Sequence, residues 1–68
     1  MNKPDLRVND QVIIKENKYF LPINGIVLSF SQNGECVWVR QLNSMNETFV
    51  QFSEIEPIVL RNGYLIKL

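Results

Sequence analysis

Five side chains of this 68-residue chain combine recognition chemistry with a spacing that would expose it: Lys18, Tyr19, Phe20, Trp38 and Arg40. Successive side chains on extended backbone point to opposite faces, so Tyr19 and Phe20 cannot both enter a small core from such a segment. Trp38 and Arg40 stand two residues apart and share a face, where an indole and a guanidinium can form one recognition surface. Lys15, Lys18 and Arg40 add a weak basic patch of the kind that an acidic protein surface or single-stranded nucleic acid would use. The competing reading for Trp38 is packing beneath the C-terminal segment around Tyr64 and Leu65. For the three cations it is an ordinary solvated face.

Catalytic chemistry has little to stand on. The chain has no His, hence no imidazole general base, and its one cysteine, Cys36, has neither a disulfide partner in the chain nor a base to activate it. The usual Cys/His zinc sets cannot be assembled from such a composition. Glu54 and Glu56 flank Ile55 as paired catalytic carboxylates could, but no pocket or cofactor signal accompanies them, and solvent-facing turn residues describe them better. No catalytic residue, metal site or cofactor is expected. Cys36 reads as a buried or half-buried small hydrophobe, in keeping with a reducing, cytoplasmic setting.

Seven acidic residues against seven basic ones give no net charge. Binders of nucleic acid or anionic membranes normally carry a basic excess, so a protein is the expected partner and nucleic acid the second choice. Charge neutrality also favours self-association, so a homo-oligomer fits. The longest apolar stretch, from Tyr19 to Ile23 with Pro22 inside it, falls far short of the roughly 20 residues of a spanning helix. Residues 1–5 lead into polar sequence and form no apolar leader, and no membrane insertion is expected.

The elements that must hold these side chains are strands. Fourteen Val and Ile, seven aromatics and no Ala favour a pleated backbone, because β-branched side chains lose rotamer freedom in helices and pack well on sheets. Turn chemistry divides the chain into strands over residues 11–15, 25–31, 36–42, 48–52 and 56–60. In the second, Ile26, Leu28 and Phe30 alternate with Val27, Ser29 and Ser31. Asn33-Gly34 between the second and third predicts a hairpin, since both residues tolerate positive φ. The third puts Val37, Val39 and Gln41 on one face and Cys36, Trp38 and Arg40 on the other.

Residues 53–55 read as a single tight turn, and Pro57, which cannot donate to a ladder, predicts that the fifth strand begins at an edge. Asn62-Gly63 followed by an apolar run predicts a C-terminal hairpin over 58–68. The expected architecture is all-β: one SH3-like barrel of five to six antiparallel strands, core about residues 8–60, with a single-turn helix before the last core strand. The long segment after the first strand, residues 16–24, is the candidate functional loop.

Asn9-Asp10-Gln11-Val12-Ile13-Ile14, the pair Tyr19-Phe20, Asn24-Gly25-Ile26-Val27 and the closing Phe52-Ser53-Glu54-Ile55-Glu56-Pro57-Ile58 resemble two families of small barrels. These are the peripheral stromal subunit IV of photosystem I and the ferredoxin-docking subunit S of the photosynthetic NADH-dehydrogenase-like complex. The likeness runs over about residues 8–58 and implies a noncatalytic docking or accessory subunit. In those families a basic residue stands just ahead of the closing turn, where this chain has Gln51. The Gly-x-Val after a loop and the Ser-Glu-Ile-Glu at the end also resemble KOW-type modules, which implies an RNA- or ribosome-binding alternative. A third likeness, to type II dihydrofolate reductases, rests on Val50-Gln51, with Ser53 where their pore motif has tyrosine.

Overall fold

A computed structural model describes residues 5–19 and 21–68. Among these residues six antiparallel strands form one sheet: β1 (Gln11–Ile14), β2 (Ile23–Phe30), β3 (Cys36–Gln41), β4 (Glu47–Gln51), β5 (Ile58–Arg61) and β6 (Tyr64–Lys67), in the spatial order β4-β3-β2-β1-β5-β6. A 3-10 turn over Phe52–Glu54 joins β4 to β5. The chain is therefore all-β, with the single turn one residue ahead of the expected 53–55, and the sheet curls in barrel-like fashion around one core.

That core is small and built mostly of valine. Val12, Val27, Val37, Val39, Val50 and Val59 are buried together with Leu6, Ile14 and Ile55. Each such side chain contributes roughly 1.5–3 kcal/mol of burial, and β-branched residues fill the pleat with little rotamer freedom to lose. Leu6 extends the core beyond the expected limit at residue 8, and Ile66 and Leu68 pack against it from the C-terminal end. Phe30 and Phe52 stack over it with ring centroids 6.1 Å apart.

Three turns follow from local chemistry. Asn33-Gly34 closes the β2–β3 hairpin, where the Gly34 N–H bonds the Ser31 carbonyl at 3.0 Å and Gly34 takes φ 73°. Asn62 (φ 53°) and Gly63 (φ 84°) form the two-residue β5–β6 turn, the left-handed geometry that matches strand twist. Asn9, at φ 76°, turns the chain into β1.

β2 starts at Ile23, inside the expected loop 16–24, and beyond such strand ends the strands depart from the sequence pattern at two places. A register shift between Val27 and Ser29 turns β2 over midway, so Val27 is in the core while Phe30, three residues on, packs against the core too. Ile26, Leu28 and Phe30 consequently do not share a face, because a bulge adds one residue to a period of two. The second departure is β5, which starts at Ile58 and lies between β1 and β6, away from any edge. Pro57 sits just ahead of the strand, where its missing N–H breaks no ladder bond and its carbonyl accepts from the Leu68 N–H at 2.7 Å.

Among the described residues one charged side chain is buried. Asp10, 1% exposed, accepts from Arg61 Nε at 2.8 Å on Oδ1, and on Oδ2 from Arg61 Nη2 at 2.8 Å and the Arg7 N–H at 2.9 Å. Arg61 Nη2 also donates to the Asp5 carbonyl at 2.8 Å. This clasp ties the segment before β1 to the last residue of β5. The Arg61 hydrogen bonds outweigh desolvation and hold the Asp10 carboxyl below the usual carboxylate range.

Candidate interaction surface

Trp38 and Arg40 project from the outer face of β3, opposite in sense to buried Val37 and Val39. Register places Trp38 across from Phe49 and Arg40 across from Glu47. Two backbone bonds fix the ladder phase: the Gln41 N–H to the Asn46 carbonyl at 2.7 Å and the Phe52 N–H to the Glu35 carbonyl at 3.4 Å. Rows alternate in an antiparallel pair, so Trp38/Phe49 and Arg40/Glu47 are non-hydrogen-bonded rows, in which side chains approach most closely.

The side chains use that proximity. Trp38 and Phe49 meet edge to face, with centroids 5.2 Å apart and planes at 62°. Trp38 Nε1 donates to Glu47 Oε1 at 2.7 Å, and Arg40 Nη2 lies 3.7 Å from Glu47 Oε2. One carboxylate thus orients the indole and compensates the guanidinium. What remains is an electrically neutral platform of two partly exposed aromatic rings, held in place without a partner. Exposed Leu42 and Met45 lie in the β3–β4 turn beside it.

The loop candidates form a separate group. Tyr19 is 79% exposed, its N–H bonds Asn17 Oδ1 at 2.7 Å, and Lys18 Nζ lies 5.1 Å from the centre of its ring. Phe20 lies outside the described residues. No hydrogen bond, ion pair or ring contact joins Lys18 or Tyr19 to Trp38 or Arg40. The loop enters β2 at Ile23, whereas Trp38 pairs with Ser29, about six residues or roughly 20 Å farther along the strand. The basic patch is divided in the same way, since Arg40 is engaged by Glu47.

Trp38 is not covered by the C-terminal hairpin. β2, β1 and β5 intervene between β3 and β6 in the sheet, and Tyr64 and Leu65 are exposed. Sequence reasoning missed two members of the platform, Glu47 and Phe49. Glu47 reads as turn sequence until the hairpin is set in register, after which its place opposite Arg40 follows.

Elsewhere, Leu6, Phe52, Ile55, Pro57 and Leu68 line an open apolar cavity of about 180 Å³. Val50 belongs to the core while Gln51 is exposed at the sheet edge, so the Val-Gln pair points to two faces. Among the described residues no group of three or more Cys, Asp or Glu side chains is placed to hold a metal ion, and no helix is long and apolar enough to cross a membrane. No family model, curated protein or solved structure matches the chain.

Proposed function

We propose that this chain is a noncatalytic docking domain that binds a protein partner through the Trp38/Phe49 face. The observation carrying this reading is Glu47, which fixes the indole and neutralises Arg40 at once. A preoriented aromatic surface loses little side-chain freedom on binding, and aromatic anchors contribute most where charge does not have to be desolvated. Stacking on a nucleic acid would instead draw on free cations beside the rings. A reducing compartment, as the free Cys36 thiol suggests, suits such an accessory role.

The test is recovery of the partner on immobilised chain, followed by titration of labelled protein with it. Amide shifts over residues 36–40 and 47–51 are expected, together with at least about tenfold weaker binding in Trp38→Ala with the fold retained. Shifts confined to other strands, or a Trp38→Ala variant that binds as tightly as the parent, would remove the assignment. The Lys18/Tyr19 loop favours one second reading, an RNA-binding module of KOW type, because there a cation does stand against a ring. Retention on structured RNA that falls steeply with salt would support it, and no retention at about 20 mM salt would dismiss it.

A further inference from the structure

We propose that the free edge of β4 pairs antiparallel with the same edge of a second copy of this chain, around a two-fold axis through Phe49. β4 ends the sheet on one side. The ladder phase directs the main-chain groups of Thr48 and Val50 toward β3, and those of Glu47, Phe49 and Gln51 away from it, so the edge offers three N–H and three C=O groups in one row. Such a row is a template for another strand.

The edge is complementary to itself. In the register that uses all three outward residues, Phe49 faces Phe49 of the second copy and Glu47 faces its Gln51, which gives six main-chain hydrogen bonds. Shifting the register by two residues in either direction leaves four. The favoured register also avoids opposing like charges, since each carboxylate meets an amide, and the zero net charge of the chain imposes no long-range repulsion. On the outer face, Trp38 and Phe49 of each copy line up into a continuous row of four rings.

The opposite edge of the sheet is less suited. The β5–β6 register and its two-residue turn leave only Leu65 and Lys67 facing outward, so that row is shorter and holds no carboxylate to meet its lysine. A five-residue edge contact is smaller than the roughly 1,200–2,000 Å² of a stable interface, so the dimer is a weak one, forming at micromolar to millimolar concentration. It does not depend on the docking partner.

Gln51 supplies the test, because it is exposed, makes no side-chain capping bond to the 3-10 turn, and meets Glu47 of the other copy twice per dimer. Sedimentation equilibrium is expected to show a concentration-dependent dimer that tightens in Gln51→Lys and weakens in Gln51→Glu, by roughly two- to thirtyfold each way. Thermal melts check that both variants stay folded. Amide exchange at Glu47, Phe49 and Gln51 should slow as concentration rises. A monomer at about 1 mM in all three proteins, a dimer indifferent to both substitutions, or concentration-dependent protection at Leu65 and Lys67 instead would overturn the proposal.

Discussion

Two arginine–carboxylate pairs bracket this small sheet and serve opposite ends. Asp10 and Arg61 are separated by 51 residues and meet through two bonds of 2.8 Å, with side-chain exposures of 2% and 16%. Arg40 and Glu47 face each other across one hairpin at 3.7 Å, with exposures of 43% and 41%. The first pair closes the fold, since it joins the segment before β1 to the end of β5. The second adds little to stability, because solvent screens it and holding two long side chains in one geometry costs entropy, yet its carboxylate also orients an indole. Burial and geometry decide whether the same chemistry closes a fold or sets the orientation of a neighbouring ring.

The comparison breaks most visibly at Asp10. Asp10→Ala leaves the Arg61 fork and the Arg7 N–H without their acceptor in a nearly closed site. A loss of about 2–3 kcal/mol is expected, somewhat under the cost of breaking a fully buried pair because Arg61 keeps some contact with water. A domain of this size has only roughly 3–5 kcal/mol to lose. Urea titration followed by Trp38 fluorescence should therefore show a much lower midpoint with a similar slope, and a midpoint within about 0.3 M of the parent would contradict the clasp.

Acid should reach the same clasp by a different route. The folded pKa of Asp10 is depressed, so its contribution to stability is fully present above the unfolded value of about 3.9 and is lost as pH falls through the lower folded value. Stability measured from pH 6 down to 2 should fall below about pH 4, and Asp10→Asn should flatten that part of the decline. Equal acid sensitivity in parent and variant would assign the decline to other carboxylates.

The difference between the pairs also explains what could be read from the sequence. Gly34 and the pair Asn62-Gly63 mark their turns because left-handed backbone favours those residues, Asn33 because its side chain accepts from the Glu35 N–H, and Val37/Val39 declare their inward face by simple alternation. Even the outward face of Trp38 and Arg40 follows from spacing. The role of Asp10 is not legible in the sequence, since its partner stands 51 residues away and no local pattern encodes that contact. The bulge in β2 escaped for a related reason: alternation has no term for one inserted residue. A large apolar ring such as Trp38 usually has a cover, but strand order leaves it beside Phe49 and Glu47.

Glu47 sharpens the comparison from the recognition side. Glu47→Gln retains an acceptor for Trp38 Nε1 but releases the Arg40 charge, with a stability change within about 0.5 kcal/mol. Partner binding through the rings should survive, because the indole stays oriented, while any affinity for RNA should rise with the freed cation. Glu47→Ala removes both functions and should shift the fluorescence of Trp38, the single tryptophan, and weaken partner binding along with it. A Gln variant that binds as poorly as the Ala variant would mean that the charge, not the orientation of the ring, is what the partner reads.

The smallest effect is expected at Arg40. Truncation to Ala removes a 3.7 Å ion pair that is open to water on both sides, and the change in unfolding free energy should be between about 0 and 0.5 kcal/mol. Glu47 keeps its 2.7 Å bond to the indole, so Trp38 emission should stay where it is. Partner binding should change little unless the partner presents an acidic group, in which case Arg40→Ala weakens it and added salt weakens the parent in parallel. A destabilisation comparable to that of Asp10→Ala would show that the exposed pair is structural too, and that burial is not what separates the two.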